Sequence, residues 1–230
     1  MKTIIERWRE YTSEDADMSE AKYPLQVYCD LDGVLVDFEK GATEAINLDL
    51  QDPDRVPDKP KLQKRYDKMV RKLQELGREL EITPDDFSRD KNIRVPEVRN
   101  YMYPRFEDNL EFWANLDWMP DGRDLWEHIS TFNPPPKILT APMRGDPEGG
   151  DHKGKRMWVQ RNLNIEDENV IVEADKHKYA VADSGEQNIL IDDTYKKIDA
   201  WRGKGGIAIH HQSADDTIAK LGQLEEDHEE

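Results

Sequence analysis

The sequence predicts an α/β fold: a Rossmann-like core with a mostly parallel five-stranded sheet flanked by helices, and an all-helical cap inserted after the first strand. Three observations carry this. Five segments, QVYCD, KILTA, NVIVEA, NILID and IAIHH, read as strands. Four of them are short apolar runs, as in strands covered on both faces of a parallel sheet, while the fifth ends in His210 and His211 and suits an edge. Helical stretches at 152–163, 194–203 and 213–224 alternate with the later strands.

In chain order, residues 2–12 suit a short helix with Ile4, Ile5 and Trp8 on one side, and a polar linker runs on to 24. The core takes residues 25–39 and 132–223, and the helical cap takes 40–131. Within the cap, DLQDPDRVPDKP is a loop punctuated by Pro53, Pro57 and Pro60. KLQKRYDKMVRKLQELGREL then places Leu62, Tyr66, Met69, Leu73, Leu76 and Leu80 at spacings of four and three, one helical stripe for packing within the chain. Thr83, Pro84 and Asp85 read as a helix start. NLEFWANLDW is rich in aromatics, and DGRDLWEHIS leads by helix into the second strand. Ser213 to Asp216 forms a capping box, with Ile218, Leu221 and Leu224 following at helical spacing. The acidic tail, 224–230, reads as disordered.

Composition narrows the function. The chain has 230 residues, 36% apolar and 36% charged, with a net charge of −17. Such acidity opposes stable binding to nucleic acid or anionic membrane, yet admits a small anion where a divalent cation reverses the local field. The single cysteine, Cys29, rules out an internal disulfide and reads as a small core residue. No apolar run approaches the roughly 18 residues of a membrane span. MKTIIERWRE is too charged for a secretory h-region, so a cytoplasmic setting is expected.

The chemistry gathers at the strand ends. In open parallel sheets, ligands bind beyond the carboxyl ends of the strands. Asp30 and Asp32 fall where the first strand ends, and alternate residues of an extended segment point the same way. Gly33 permits a tight turn there. Two close carboxylates raise one pKa unless a cation lies between them, and Mg²⁺ with carboxylates, waters and a substrate phosphate resolves this. KILTAP ends in Thr140, NILIDDT ends in Asp192 and Asp193, and GKRMWVQ carries Lys155 just inside a helix, with Lys153 as a rival. Any one of these acids alone reads as a helix cap. Together they form a site for a metal and a phosphoryl group. His210 and His211, adjacent on a strand, point to opposite faces and are not joint metal ligands. Trp118, Trp126, Trp158 and Trp201 read as packing. MRGDPEGGDH reads as a mobile loop over the site, and His152 within it has no assigned role.

These residues resemble the four ordered motifs of the haloacid dehalogenase-like (HAD) phosphohydrolases. DLDGVLVDF resembles the first motif, LTAP the second, Lys155 the lysine of the third and ILIDD the fourth. The likeness covers residues 26–211. Within that superfamily, DLDGVLVDFE, NLDWMPDGRDLWEHI, ILTAP, KRMWVQRNL, ADK and ILIDD are most similar to the 5'(3')-deoxyribonucleotidases. Where that family often has an arginine before the Asp-Lys pair, this chain has Ala174.

The resemblance implies Asp30 as nucleophile and Asp32 as general acid and base. It implies Mg²⁺ held by Asp30, the backbone carbonyl of Asp32, and Asp192, with Asp193 supporting its waters. Thr140 and neighbouring N–H groups, including that of Ala141, would hold phosphoryl oxygens, and Lys155 would neutralise charge on the aspartate and phosphate. Phe38 and Lys176 match substrate-side positions; core packing and a surface location stay open for them. Phe112 and Trp113 are candidates to stack on a base or to pack the cap. Asp37 reads as a start-of-helix acid. The expected activity is Mg²⁺-dependent hydrolysis of (deoxy)nucleoside monophosphates. A sugar phosphate or a nucleic-acid phosphate end is the alternative substrate, and a catalytically silent binding module is the reading from another class. A homodimer is left open.

Overall fold

A computed structural model describes residues 25–88, 92–143, 146 and 148–229. The helix and linker expected within 1–24 lie outside the described residues. The strands are β1 (Val27–Cys29), β2 (Lys137–Thr140), β3 (Val170–Val172), β4 (Ile189–Asp192) and β5 (Ile207–His210). They form one sheet in the order β3-β2-β1-β4-β5, with every pairing parallel. All five expected strands are present, and β5 lies at an edge.

The apolar runs are explained by burial on both faces. Strand alternation puts Val27, Cys29, Ile138, Ile189, Ile191 and Ile209 in one cluster and Tyr28, Leu139, Leu190 and Ala208 in another. The second face is closed by Ile198 and Trp201 from a helix at Tyr195–Arg202. Because all strands run the same way, their carboxyl ends share one edge. The chain fills one side of β1 with β2 and β3, then returns to the other side with β4 and β5, so β1 lies at the switch point where crevices form.

The excursion between β1 and β2 holds helices α1 (Phe38–Gln51), α2 (Pro60–Glu75), α3 (Pro96–Phe106), α4 (Leu110–Ala114) and α5 (Gly122–Ile129), with no strand among its described residues. On α2 the stripe Leu62, Tyr66, Met69 and Leu73 is buried, whereas Leu76 and Leu80 are exposed. The helix stops short of them: Gly77 takes φ 65°, and the N–H groups of Arg78 and Gly77 bond to the carbonyls of Leu73 and Gln74. The start at Thr83 makes a 3₁₀ turn, Pro84–Phe87, capped reciprocally by Thr83 and Asp86. A buried polar knot joins three of these helices. Asp49 of α1 takes two bonds from Arg105 (2.7 and 3.1 Å) and one from the Tyr101 hydroxyl (2.7 Å), both on α3, while Tyr66 of α2 donates to the Asp49 carbonyl at 3.0 Å.

One contact crosses an expected domain boundary, and the C-terminal helix runs further than expected. The sequence reading grouped 121–131 with the cap, yet α5 packs on the C-terminal helix, and Asp121 accepts the Ala214 N–H at 2.6 Å. The helices after β2 are α6 (Gly150–Asn162), α7 (Tyr195–Arg202) and α8 (Ala214–Glu229). The backbone of α8 is thus helical through 224–229, where a disordered tail was expected. Leu221 is buried, Ile218 and Leu224 pack beside it, and the Glu-rich continuation contains no helix breaker. Among the described residues no helix is long and apolar enough to cross a membrane.

Candidate active site

Asp30 directly follows β1 and still pairs with β4, through its N–H to the Ile191 carbonyl at 2.9 Å. Beneath it Cys29 is fully buried, and burial pushes its thiol pKa well up, so it packs rather than reacts. Beyond it Leu31–Val36 turn back sharply: the N–H groups of Leu35 and Val36 both bond to the Leu31 carbonyl at 2.9 Å, and Gly33 adopts φ 79°. A side chain at Gly33 would meet the Asp193 carboxylate at 2.8 Å, so glycine is needed both for the turn and for the approach of β4's acids. Asp37 caps α1 by accepting the Lys40 N–H at 3.0 Å, the helix-start role expected of it.

The strand ends do converge. The carboxylate oxygens of Asp30, Asp192 and Asp193 lie within 4.8 Å of one another. Asp32 contributes no carboxylate to that group. Its Oδ2 is bonded at 2.5 Å by the ammonium of Lys155, which also bonds the Ala141 carbonyl (2.6 Å) and the Thr140 hydroxyl (3.2 Å). The other Asp32 oxygen, Oδ1, is buried with no hydrogen-bond partner. Burial raises the Asp32 pKa; Lys155 opposes the rise, and the charge on Asp30 adds to it.

The lysine on Asp30 is not the one expected there. Lys155 was expected beside Asp30. Instead the ammonium on Asp30 belongs to Lys176, which lies 2.7 Å from Asp30 Oδ1 and 2.6 Å from Asp192 Oδ2 and is 1% exposed. This excludes the surface location left open for Lys176. Burial alone would lower its pKa, but the two carboxylates more than compensate and raise it. The rival Lys153 pairs with Glu148 at the surface. Lys155 reaches Asp32 because α6 lies very close to α4: a side chain at Gly154 would meet the Trp113 Cβ at 2.5 Å. The Lys155 ammonium sits 4.7 Å from the Trp113 ring centre.

A cleft of about 380 Å³ opens above these groups. Asp30, Asp32, Gly33, Phe38, Ala141, Lys176 and Asp193 line it, as do Asp37, Glu39, Met119, Thr194 and Lys197. Phe112 and Trp113 do not. Trp113 is 2% exposed, stacks on Phe38 with ring centres 5.1 Å apart, and gives its N–H to the Phe106 carbonyl. Phe112 stacks on Phe106 at 3.9 Å. Both rings pack against Phe38; Trp113 is closed to a base, and Phe112, partly buried, lies outside the cleft lining. Thr140 is also fully buried, its hydroxyl accepting from Lys155, so it does not line the cleft. Trp126, Trp158 and Trp201 are buried, and Trp118 packs on Trp158 at 4.8 Å. His210 and His211 diverge as expected, to the Asp193 carbonyl and the Thr217 hydroxyl. His152 lines no part of the cleft, and residues 144, 145 and 147 of the expected mobile loop lie outside the described residues.

The donor set fits a hard divalent cation. Asp30, Asp32 and Asp192 share the ammoniums of Lys155 and Lys176, and Asp193 adds a fourth carboxylate beside Asp30 and Asp192. The strain registers at Asp192, whose carboxyl is pushed up to about 7, chiefly by burial and then by the charge on Asp30, against Lys176 and the Thr194 N–H. An acid raised above its ordinary value of 3.8 holds more protons folded than unfolded. Its contribution to stability therefore falls as pH rises from about 4 to about 7. In metal-free protein the melting temperature is expected to fall over that window more steeply than in Asp192→Asn. Mg²⁺ should offset the loss, since a cation favours the ionised carboxylates. Melts of both proteins at about pH 5 and about pH 7, with and without Mg²⁺, check this. Equal slopes would contradict it.

No family model and no curated protein matches the chain. Solved structures give distant likenesses. A hydrolase from Streptococcus pneumoniae TIGR4 is 17% identical with a TM-score of 0.41, over 86% of this chain and 96% of that one. A HAD family hydrolase from Deinococcus radiodurans R1, solved with bound phosphate and sodium, is 14% identical with a TM-score of 0.45, over 82% and 80%. A phosphonoacetaldehyde hydrolase like protein from Oleispira antarctica is 14% identical with a TM-score of 0.42, over 93% and 86%. At these identities and scores the likenesses carry no argument about this chain's activity.

Proposed function

We propose that the chain is a Mg²⁺-dependent phosphomonoesterase of the HAD type, acting through an aspartyl-phosphate on Asp30. One observation carries the reading. The four-carboxylate, two-lysine cluster at the sheet's carboxyl edge separates into two functional halves: Asp30 with Lys176, Asp192 and Asp193, and Asp32 with Lys155.

The Lys176 ammonium and the Leu31 N–H (2.7 Å) both bond Asp30 Oδ1, which leaves Oδ2 to attack phosphorus. As the Oδ2–P bond forms, the bond from phosphorus to the ester oxygen breaks, and protonated Asp32 gives its proton to the leaving oxygen. Asp32 then takes a proton from water as that water attacks phosphorus, releasing orthophosphate and restoring Asp30. Proton transfer of this kind contributes roughly 10²–10⁴-fold. Lys155 fixes Asp32 through its bond to Oδ2, and burial, which raises the Asp32 pKa, favours the protonated carboxyl that the first step needs. Asp30, Asp192 and Asp193 would hold Mg²⁺, which supplies charge neutralisation and a template for the phosphoryl group.

The substrate favoured is a nucleoside monophosphate, supported by the resemblance of the motif sequences and by Phe38 on the cleft wall. A second reading, a sugar phosphate, is favoured by the burial of Trp113 and the stacking of Phe112 on Phe106, which leave the cleft one aromatic ring. Phosphate release from a panel of nucleoside and sugar monophosphates, with and without Mg²⁺, separates them. Nucleotides turned over fastest, and only with Mg²⁺, is the expected result. Faster turnover of sugar phosphates moves the substrate class, and no turnover of any monoester ends the proposal.

A further inference from the structure

Lys176 and Lys197 are the lysines among the described residues that line the cleft, against five acids: Asp30, Asp32, Asp37, Glu39 and Asp193. Lys176 is already bonded to two carboxylates and is almost inaccessible. Lys197 differs in both respects. It stands in the first turn of α7, just after the acids of β4, and is half-buried. Its ammonium donates to the carbonyl of Ala174, a neutral acceptor in the loop between β3 and Lys176. An ammonium has three donors, so this bond leaves capacity for a ligand. A monoester dianion approaching this acidic wall needs a positive group that is not already committed to a carboxylate.

We infer that Lys197 is a substrate-binding residue, its ammonium taking a phosphoryl oxygen of the monoester while still anchored to the Ala174 carbonyl. The inference rests on the phosphomonoesterase reading and adds to it a residue from outside the motifs. Burial, and then the nearby Lys176, hold the Lys197 pKa below its ordinary value, and a bound anion would reverse that pressure. The anchor also explains how a long, flexible arm is held over the cleft: this bond ties the first turn of α7 to the loop that leads into Lys176.

Lys197→Met and Lys197→Arg, in the full chain with Mg²⁺, test it through two readouts. These are steady-state kinetics on the best monoester and calorimetric binding of inorganic phosphate. The methionine variant is expected to raise KM and the phosphate Kd together by ~10–100-fold, with kcat changed by less than about threefold. The arginine variant is expected to recover most of both. Unchanged KM and Kd in the methionine variant would overturn the inference. So would a fall in kcat and melting temperature with phosphate binding intact, because that is the signature of a loop tether alone. If the wild-type chain hydrolyses no monoester, the underlying reading fails by itself. The phosphate titration then still decides for or against Lys197 as an anion-binding group.

Discussion

Asp30→Asn is expected to cut phosphate release on the order of 10⁴-fold or more while leaving the melting temperature undiminished. The substitution removes the attacking oxygen but keeps the shape and an acceptor toward the Leu31 N–H. It also removes the negative charge that helps push Asp192 up, and Lys176 keeps Asp192 as its partner. Loss of activity with retained stability separates a chemical role from a structural one. Turnover within about tenfold of wild type would remove Asp30 from the mechanism. A collapse in melting temperature would mean that the carboxylate holds the strand ends together, and the activity loss would then carry no mechanistic weight.

The largest effect on stability is expected far from the cleft, at Asp49. This carboxylate is fully buried and neutralises Arg105, whose side chain is 11% exposed. It also holds the Tyr101 hydroxyl, where burial and then the bond to Asp49 raise the phenol's pKa strongly. Asp49→Ala leaves a guanidinium inside the helical layer without a counter-charge. Breaking a buried pair from one side costs about 3–5 kcal/mol, a fall of roughly 6–20 °C for a chain of this size. Replacing both partners with apolar residues, Asp49→Leu with Arg105→Met, should recover much of it, because no buried charge is left behind. Thermal melts of the single and double variants check this. Equal losses in both would assign the cost to packing instead of charge.

The parts of this molecule that were legible in the sequence are those governed by local, periodic rules. The five strands could be read because residues such as Ile189, Leu190 and Ile191 are buried on both faces, which leaves an unbroken apolar run. Asp30, Asp32, Asp192 and Asp193 could be read because a parallel sheet sends all its carboxyl ends to one edge. The lysines were harder. Lys155 and Lys176 both reach that edge on long arms, and sequence position does not say which carboxylate each one meets. That choice depends on how closely α6 approaches α4, set by Gly154 against Trp113. The aromatics of α4 stayed open for a similar reason: Phe112 and Trp113 sit in a sequence that suits either an open wall or a packed one, and only the neighbouring Phe38 and Phe106 decide. Lys197 gave no signal at all. It is one of two adjacent lysines on an ordinary amphipathic helix, and its place over the cleft follows from the Ala174 carbonyl across the sheet edge. The C-terminal helix outran expectation because the acidic composition of residues 225–230 was read as solvation, although glutamate also propagates a helix already nucleated by Leu221.

The account turns on a covalent bond between Asp30 and the phosphoryl group. Acid quenching during turnover of the best monoester, followed by mass spectrometry of the peptide that contains residues 27–39, tests this most directly. The account predicts a phosphoryl group on Asp30 that appears only with substrate and Mg²⁺ and is absent from Asp30→Asn. Phosphate release with no phosphorylated Asp30 at any quench time, or with the phosphoryl group on another residue, would contradict it.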